Sequence, residues 1–133
     1  MKSLQGEFLE RAEIELEKAQ KIIKKIEFSP GDVVQNCVLA LMDSINFICS
    51  AILGRLSTVD EDYLILIDRH EKEISELIRL YFYLKNVANK KYNKVERSVI
   101  RVDGWKSSFY LKKSDLEEYL EKVREHINKI KFK

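Results

Sequence analysis

The sequence SPGDVVQNCVLALMDSINFICSAILGR, residues 29–55, decides the fold of this chain. It opens with the signals of a helix start: Ser29 is placed to act as the N-cap, Pro30 suits the first turn, and Asp32 closes a capping box. An apolar stripe then repeats at steps of three and four residues, formed by Val34, Val38, Leu41, Ile45, Ile48 and Ile52. Further apolar residues occupy the other faces. A helix that is apolar nearly all round is predicted to lie at the centre of a helical protein.

This helix is apolar enough to resemble a membrane span, but Asp43 lies near its centre. An aspartate there costs about 2.5–3.5 kcal/mol on membrane-insertion scales, which favours a buried core helix without membrane contact. Cys37 and Cys49 lie twelve residues apart in the same helix, or roughly 18 Å along its axis, too far to form a disulfide. Buried, reduced thiols and the lack of an apolar run after the first lysine predict a cytoplasmic protein.

The rest of the chain predicts one helical domain over residues 1–133. Of the 133 residues, 45% are hydrophobic and 35% charged, and 4 Gly and 1 Pro are too few for a protein built mainly of strands and turns. Periodicity predicts helices near residues 3–26, 29–55, 58–67, 71–88 and 114–130. We therefore predict an all-α fold, an antiparallel up-and-down bundle of four to five helices. The abundance of Lys, Glu and Ile is also typical of thermophiles.

Residues 95–111 interrupt the helical pattern. β-Branched and aromatic residues surround the dipeptide Asp103-Gly104, which suits the positive φ angles of a two-residue hairpin turn. We predict a small β-hairpin near residues 95–111. Strand alternation would place Arg97, Arg101 and Lys106 on one face and Ile100, Val102 and Trp105 on the other.

The chain contains few residues arranged for catalysis or cofactor binding. His70 and His126 belong to no metal-binding pattern and have no nucleophile signature nearby, so solvated or capping roles are predicted for both. His70 could share a helix face with Glu73, but two ligands do not make a metal site. The four glycines are isolated, which excludes a phosphate-binding loop. No metal and no cofactor are predicted.

A line of polar residues runs along the central helix. At 100° per residue, Asn36, Asp43 and Asn46 share one sector, roughly opposite the stripe that includes Val38 and Ile45. Two interpretations stay open for these side chains. They form either the solvent side of the helix, or the lining of a cleft or two-fold interface, where buried polar groups would need hydrogen-bond partners.

The charge of the chain is unevenly distributed. The total is only +2, yet residues 85–113 contain nine lysines and arginines against two acidic residues, a net charge of +7 that leaves −5 for the rest. Cations interleaved with aromatic rings are typical of single-stranded nucleic-acid sites. The candidate binding residues are Lys85, Lys90, Lys91, Tyr92, Arg97, Arg101, Trp105 and Lys106. The alternative is a lysine-rich solvated edge that protects exposed strands from aggregation.

The order of the helices resembles the HEPN superfamily of small prokaryotic helical domains. Four segments carry the resemblance: FLERAEIELEKAQKIIKK at 8–25, GDVVQNCVLALMDSINFICSAIL at 31–53, EISELIRLYFYLKNVANKKYN at 73–93 and SDLEEYLEKVREHINKI at 114–130. This resemblance implies a dimer. Many members are ribonucleases or partners of nucleotidyltransferases in toxin–antitoxin pairs, and others are inactive scaffolds.

The arginine and histidine spacing of the active HEPN ribonucleases is absent from this chain. Lys85 and Tyr92 are the residues nearest to that pattern. We therefore predict a non-catalytic HEPN-like protein that acts by binding, as a homodimer, with residues 85–113 contacting RNA or a nucleotidyltransferase-type partner. One alternative is a degenerate HEPN ribonuclease toxin that uses Lys85, Tyr92 and Asp43. Another is a structural module that docks a second protein through an exposed apolar surface.

Overall fold

Four helices and a small antiparallel sheet make up the structure, a computed structural model that describes residues 3–94 and 98–132. The helices are α1 (Leu4–Lys24), α2 (Gly31–Leu53), α3 (Val59–Ala88) and α4 (Lys113–Lys131), and a short 3-10 helix, Ile26–Phe28, separates α1 from α2. The strands are β1 (Lys91–Lys94), β2 (Val99–Asp103) and β3 (Ser108–Lys112), in that order across the sheet. The predicted mainly helical fold with a small β element is confirmed.

Helix α2 lies at the centre of the core, as its sequence predicts. Its main stripe is buried except for Ile52, which is only partly buried, and both cysteines are buried free thiols. It packs antiparallel to α1, as two contacts show. The Ser44 hydroxyl donates to the Ala12 carbonyl at 2.8 Å, and at the other end of the pair the Gln5 side-chain amide donates to the Ala51 carbonyl. By length and composition alone α2 could cross a membrane, but more than half of its most apolar stretch is buried inside the protein.

The start of α2 differs from the prediction. Its N-cap is Pro30, and the Ser29 hydroxyl donates instead to the Lys25 carbonyl at 2.8 Å. The reason is that Ser29 ends the preceding 3-10 helix, so its side chain points back along the chain. Gly31 follows in the first turn, where a Cβ would collide with the carbonyl oxygen of Tyr92. A residue without a side chain therefore lets β1 pack directly on the start of α2.

Helix α3 reverses direction at His70, whose φ of −135° and ψ of 28° are not helical. In a straight helix Asp60 and Tyr81 would lie about 31 Å apart, yet their side chains are hydrogen bonded at 2.5 Å. The rings of Tyr63 and Phe82 also touch, with centroids 5.6 Å apart. The N-terminal arm (59–69) and the C-terminal arm (71–88) therefore fold back against each other. They correspond to the two helices that the sequence predicts at 58–67 and 71–88, with the predicted Thr58 cap accepting from the Glu61 amide.

The sheet is larger than the predicted hairpin. β1 pairs with β2 and β2 with β3, all antiparallel, so three strands replace two. The additional strand, β1, lies where the periodicity of the preceding helix fades. One face of the sheet packs on the helices and buries Tyr92, Ile100, Val102 and Leu111. The opposite face, called the outer face below, carries the polar and charged positions of each strand.

Candidate nucleic-acid interface

The outer face of the sheet presents a cation beside an aromatic ring. Arg101 on β2 lies directly opposite Tyr110 on β3 and opposite Asn93 on β1. Alternation along β2 buries Ile100 and Val102 and leaves Arg101 exposed between them. Tyr110 is 59% exposed. The register therefore fixes a guanidinium and a phenol side by side on the solvent side of the sheet.

Asp103 holds this arrangement together by joining all three strands. Its carboxylate accepts hydrogen bonds from the Asn93 amide on β1 and from the Ser108 hydroxyl on β3, both at 2.6 Å. The Nε of Arg101 lies 3.3 Å from the same carboxylate. These bonds satisfy the oxygens of Asp103 and hold the carboxylate within the sheet, with Arg101 as the cation beside it. The sequence alone indicates only a turn residue at Asp103, because its contacts to β1 and β3 depend on strand pairing.

Trp105 lies in the loop between β2 and β3 and is 96% exposed. The prediction that it shares the inward face with Ile100 and Val102 is wrong, because β2 ends at Asp103 and the loop spans residues 104–107. The Gly104 amide donates to the Ser107 carbonyl at 2.8 Å and closes this loop. It is thus longer than the predicted two-residue turn, and it directs the indole away from the core.

The lysines of the prediction gather at the same end of the sheet. Lys91 begins β1 and lies opposite Asp103, in the row that leads into the loop. The Nζ of Lys90 would lie 3.0 Å from a Cβ at Gly104, so its ammonium group sits against the loop. Lys106 is an exposed residue of the loop itself. The structure therefore brings together Lys90, Lys91, Arg101, Trp105 and Lys106, and this group, with Tyr110, is called the loop-end surface below.

Two predicted residues have other roles. Tyr92 is only 8% exposed, and its hydroxyl donates to the Val87 carbonyl at 2.9 Å. Burial raises the pKa of that hydroxyl, so the predicted ligand contact through Tyr92 is wrong and the residue is part of the core. Lys85 lies on α3 and forms an ion pair with Asp60. Arg97 falls outside the described residues.

The three residues of the polar line of α2 lie in three different environments. Asn46 accepts a hydrogen bond from the Val59 amide at 2.9 Å and so caps the N-terminal arm of α3. Asn36 is exposed. Asp43 lies near Glu15 and Lys18 of α1, and partial desolvation together with the Glu15 charge raises its pKa, while Lys18 opposes the shift. Only Asn46 of the three joins two helices through a described hydrogen bond.

The structure brings the two histidines to one cavity, which their positions in the sequence do not predict. His70 at the reversal of α3 and His126 on α4 line one cavity of about 610 Å³. The solvated role predicted for His126 is wrong, because the residue is 6% exposed. One signal was present in the sequence: His126 follows Val123 by three residues and so continues the apolar stripe of α4. His70 and Glu73, whose spacing allows them to share a helix face, are in contact, with the His70 Nδ1 3.2 Å from a Glu73 carboxylate oxygen.

An open groove lies along the C-terminal arm of α3. Phe82, Tyr83, Lys85, Asn86 and Asn89 line it, and its volume is about 680 Å³. Within residues 3–94 and 98–132, no cluster of three or more His, Cys, Asp or Glu side chains has the geometry of a metal site.

Comparisons with protein-family models, with curated protein sequences and with solved structures find no match to this chain. The HEPN-like assignment stays a prediction.

Proposed function

We propose that this chain is a non-catalytic HEPN-like protein that binds single-stranded nucleic acid on the loop-end surface. The observation that carries the proposal is the placement of Arg101 beside Tyr110, next to a loop that exposes Trp105 almost completely. Rings in such positions accept bases by stacking, and the neighbouring cations pair with phosphates. The position of Trp105 contributes little to folding stability, since the side chain buries almost none of its apolar area.

The charge of this surface supports the same ligand. Lys90, Lys91 and Lys106 surround the loop, and the local acidic residue, Asp103, is already satisfied by hydrogen bonds within the sheet. A flexible single strand can follow this basic edge while its bases turn toward the rings. A stiff duplex offers its bases only inside the grooves, so single strands are the favoured ligand.

The helices would serve as the scaffold for this surface. With α3 counted as two arms, we propose an antiparallel five-helix bundle, with a cytoplasmic location and a homodimeric assembly. Support for a dimer comes from the N-terminal arm of α3 and the preceding connector, where Leu56, Tyr63, Leu64 and Ile67 are exposed. A nucleotidyltransferase-type protein is the other partner that the HEPN resemblance implies, and the same basic surface would contact it.

The structure gives less support to the ribonuclease alternative. Tyr92 would have to reach the RNA, but its hydroxyl is buried against the Val87 carbonyl. Lys85 is held by Asp60. The third alternative, a module that docks another protein, draws on the same exposed apolar residues as the dimer.

The single tryptophan of the chain makes the proposal directly testable. The intrinsic fluorescence of the full-length protein is measured while a 12-nucleotide oligouridylate is added at 50 mM and at 200 mM salt. We expect quenching that saturates at low salt and an affinity that falls with a log–log slope of about −0.7 for each phosphate neutralised. A 12-base-pair RNA duplex is the comparison ligand and is expected to bind more weakly.

Variants separate stacking from general charge. Trp105→Ala is expected to weaken binding by about 1–3 kcal/mol, the range for one stacked base, as measured by anisotropy of a labelled oligonucleotide. Arg101→Gln should reduce the magnitude of the salt slope by about 0.7, the contribution of one phosphate contact on a single strand. The matched control is Lys21→Gln, which removes an exposed lysine from the end of α1. Absence of quenching at 50 mM salt, or equal losses in Arg101→Gln and Lys21→Gln, would overturn the proposal.

A further inference from the structure

A cavity at one end of the helices collects residues from all four of them. It has a volume of about 610 Å³ and is lined by Gln5 of α1, Ile52 of α2, His70 and Lys72 of α3, and His126 and Lys129 of α4. The reversal of α3 creates it, because His70 stands at the turn between the two arms. The size falls within the range of small-molecule sites.

The two histidines differ in how they are held. His126 is buried, and its Nδ1 lies 2.8 Å from the Lys122 carbonyl. A carbonyl only accepts, so Nδ1 carries a proton and Nε2 remains as the second functional atom of the ring. His70 has its Nδ1 3.2 Å from a carboxylate oxygen of Glu73. Both rings are thus oriented by bonds through Nδ1.

The charges around the cavity favour an anion. Lys72 and Lys129 line it, and the acidic residue of the lining, Glu73, is engaged by His70. Glu76, 3.8 Å from the Nε2 of His126, is compensated by Lys122 at 3.6 Å. Two lysines and one carboxylate therefore lie in the lining, which leaves an excess of positive charge.

The cavity also has an apolar side, formed by Ile52 and Ile130. Both isoleucines pack against the core and are only partly buried. From the combination of two cations and two isoleucines in one lining, we propose that the cavity binds a small organic anion. Its charged group would lie between Lys72 and Lys129 and its apolar body against the isoleucines. A free inorganic anion would leave the apolar side of the cavity uncovered.

This cavity lies far from the loop-end surface. The sheet packs on Gly31 at the start of α2, whereas the cavity contacts Ile52, about 32 Å further along the same helix. Likewise β3 leads into Lys113, and Lys129 lies near the opposite end of α4. The inference therefore does not rest on the proposed nucleic-acid function, and the two sites can be tested with separate variants.

The experiment uses phenyl phosphate as the probe and the full-length, 15N-labelled protein. The chain has two histidines, so their imidazole nitrogen signals report on the cavity alone. We expect both signals to shift and saturate as phenyl phosphate is added. Inorganic phosphate, which lacks the apolar body, is expected to bind at least about tenfold more weakly, and benzyl alcohol, which lacks the charge, should produce no saturating shift.

Substitutions locate the site. Lys129→Gln and Lys72→Gln should each weaken phenyl phosphate binding by about tenfold or more, because each removes a charged hydrogen-bond donor. The control Lys24→Gln, at the exposed end of α1, should leave the affinity unchanged. No saturable shift, equal affinity for phosphate and phenyl phosphate, or unchanged affinity in both cavity variants would contradict the proposal. Oligouridylate binding, measured in the same variants, should stay at the wild-type level whatever the result for phenyl phosphate.

Discussion

The hydroxyl of Tyr81 donates a 2.5 Å hydrogen bond to the Asp60 carboxylate and so joins the two arms of α3. Lys85, one turn further along the C-terminal arm, forms an ion pair with the same carboxylate. These contacts connect residues that are 21 and 25 positions apart in the sequence, on either side of the break at His70. They lie at the end of the two arms opposite the turn at His70, and they hold the arms together there.

Removing the hydroxyl of Tyr81 should destabilise this closure. Tyr81→Phe keeps the buried ring but deletes the hydrogen bond, so the free energy of unfolding is expected to fall by about 1 kcal/mol. Urea denaturation followed by far-UV circular dichroism measures the change. Tyr110→Phe is the control, because it removes a hydroxyl from the exposed face of the sheet. Equal stability of Tyr81→Phe and the wild type would contradict a closing role for this contact.

The same tyrosine should make the fold sensitive to alkali. Burial, followed by the hydrogen bond to Asp60, raises the pKa of Tyr81 to about 12, whereas an unfolded tyrosine ionises near pH 10. Between these values the unfolded chain releases a proton that the folded chain retains. The stabilisation is therefore complete below about pH 10 and is lost as the pH rises toward 12.

Thermal denaturation between pH 8 and pH 12 tests this dependence. Tyr81→Phe should lose less stability over that interval than the wild type. Part of the loss should remain, because burial also raises the pKa of Tyr92 and of Tyr119. Identical pH profiles for the variant and the wild type would show that Tyr81 ionises equally in both states.

The sequence predicted most of the helices because their signals are local. The apolar stripe of α2 repeats within single turns, and Thr58 caps a helix that starts at the next residue. The break at His70 was also visible, since the periodicity of 58–67 and that of 71–88 do not form one continuous stripe. What local patterns could not show is that the two arms fold back, because that depends on contacts such as Tyr63 with Phe82.

The candidate sites were only partly predictable for a related reason. The cluster of Lys91, Arg101 and Lys106 follows from charge counting, but the burial of Tyr92 depends on Gly31, some sixty residues earlier in the chain. Strand β1 likewise exists because β2 pairs with it. His70 and His126 share a cavity only because α3 reverses and α4 packs beside it, and no spacing in the sequence records this.

Gly31 should tolerate no side chain. A Cβ at this position would collide with the Tyr92 carbonyl oxygen, so the alanine variant must push β1 away from α2. We expect Gly31→Ala to lower the free energy of unfolding by about 1–3 kcal/mol, the usual cost of overpacking. Asn36→Ala, at an exposed position of the same helix, is the control. A gain in stability from the higher helix propensity of alanine would refute the close approach of the two backbones.

The proposed homodimer should depend on the exposed apolar residues of the N-terminal arm of α3. Leu64 is 69% exposed, and burying such a side chain in an interface contributes about 1.5–3 kcal/mol per copy. Sedimentation equilibrium of the wild type is expected to give twice the 15.7 kDa mass of the chain. Leu64→Glu should shift this mass toward the monomer without lowering the unfolding temperature measured at low protein concentration, because the side chain packs little within one chain. Leu4→Glu, an exposed leucine at the start of α1, should leave the dimer intact. A wild-type mass of 15.7 kDa at all concentrations would contradict the dimer, whereas an equal effect of Leu4→Glu and Leu64→Glu would contradict this choice of interface.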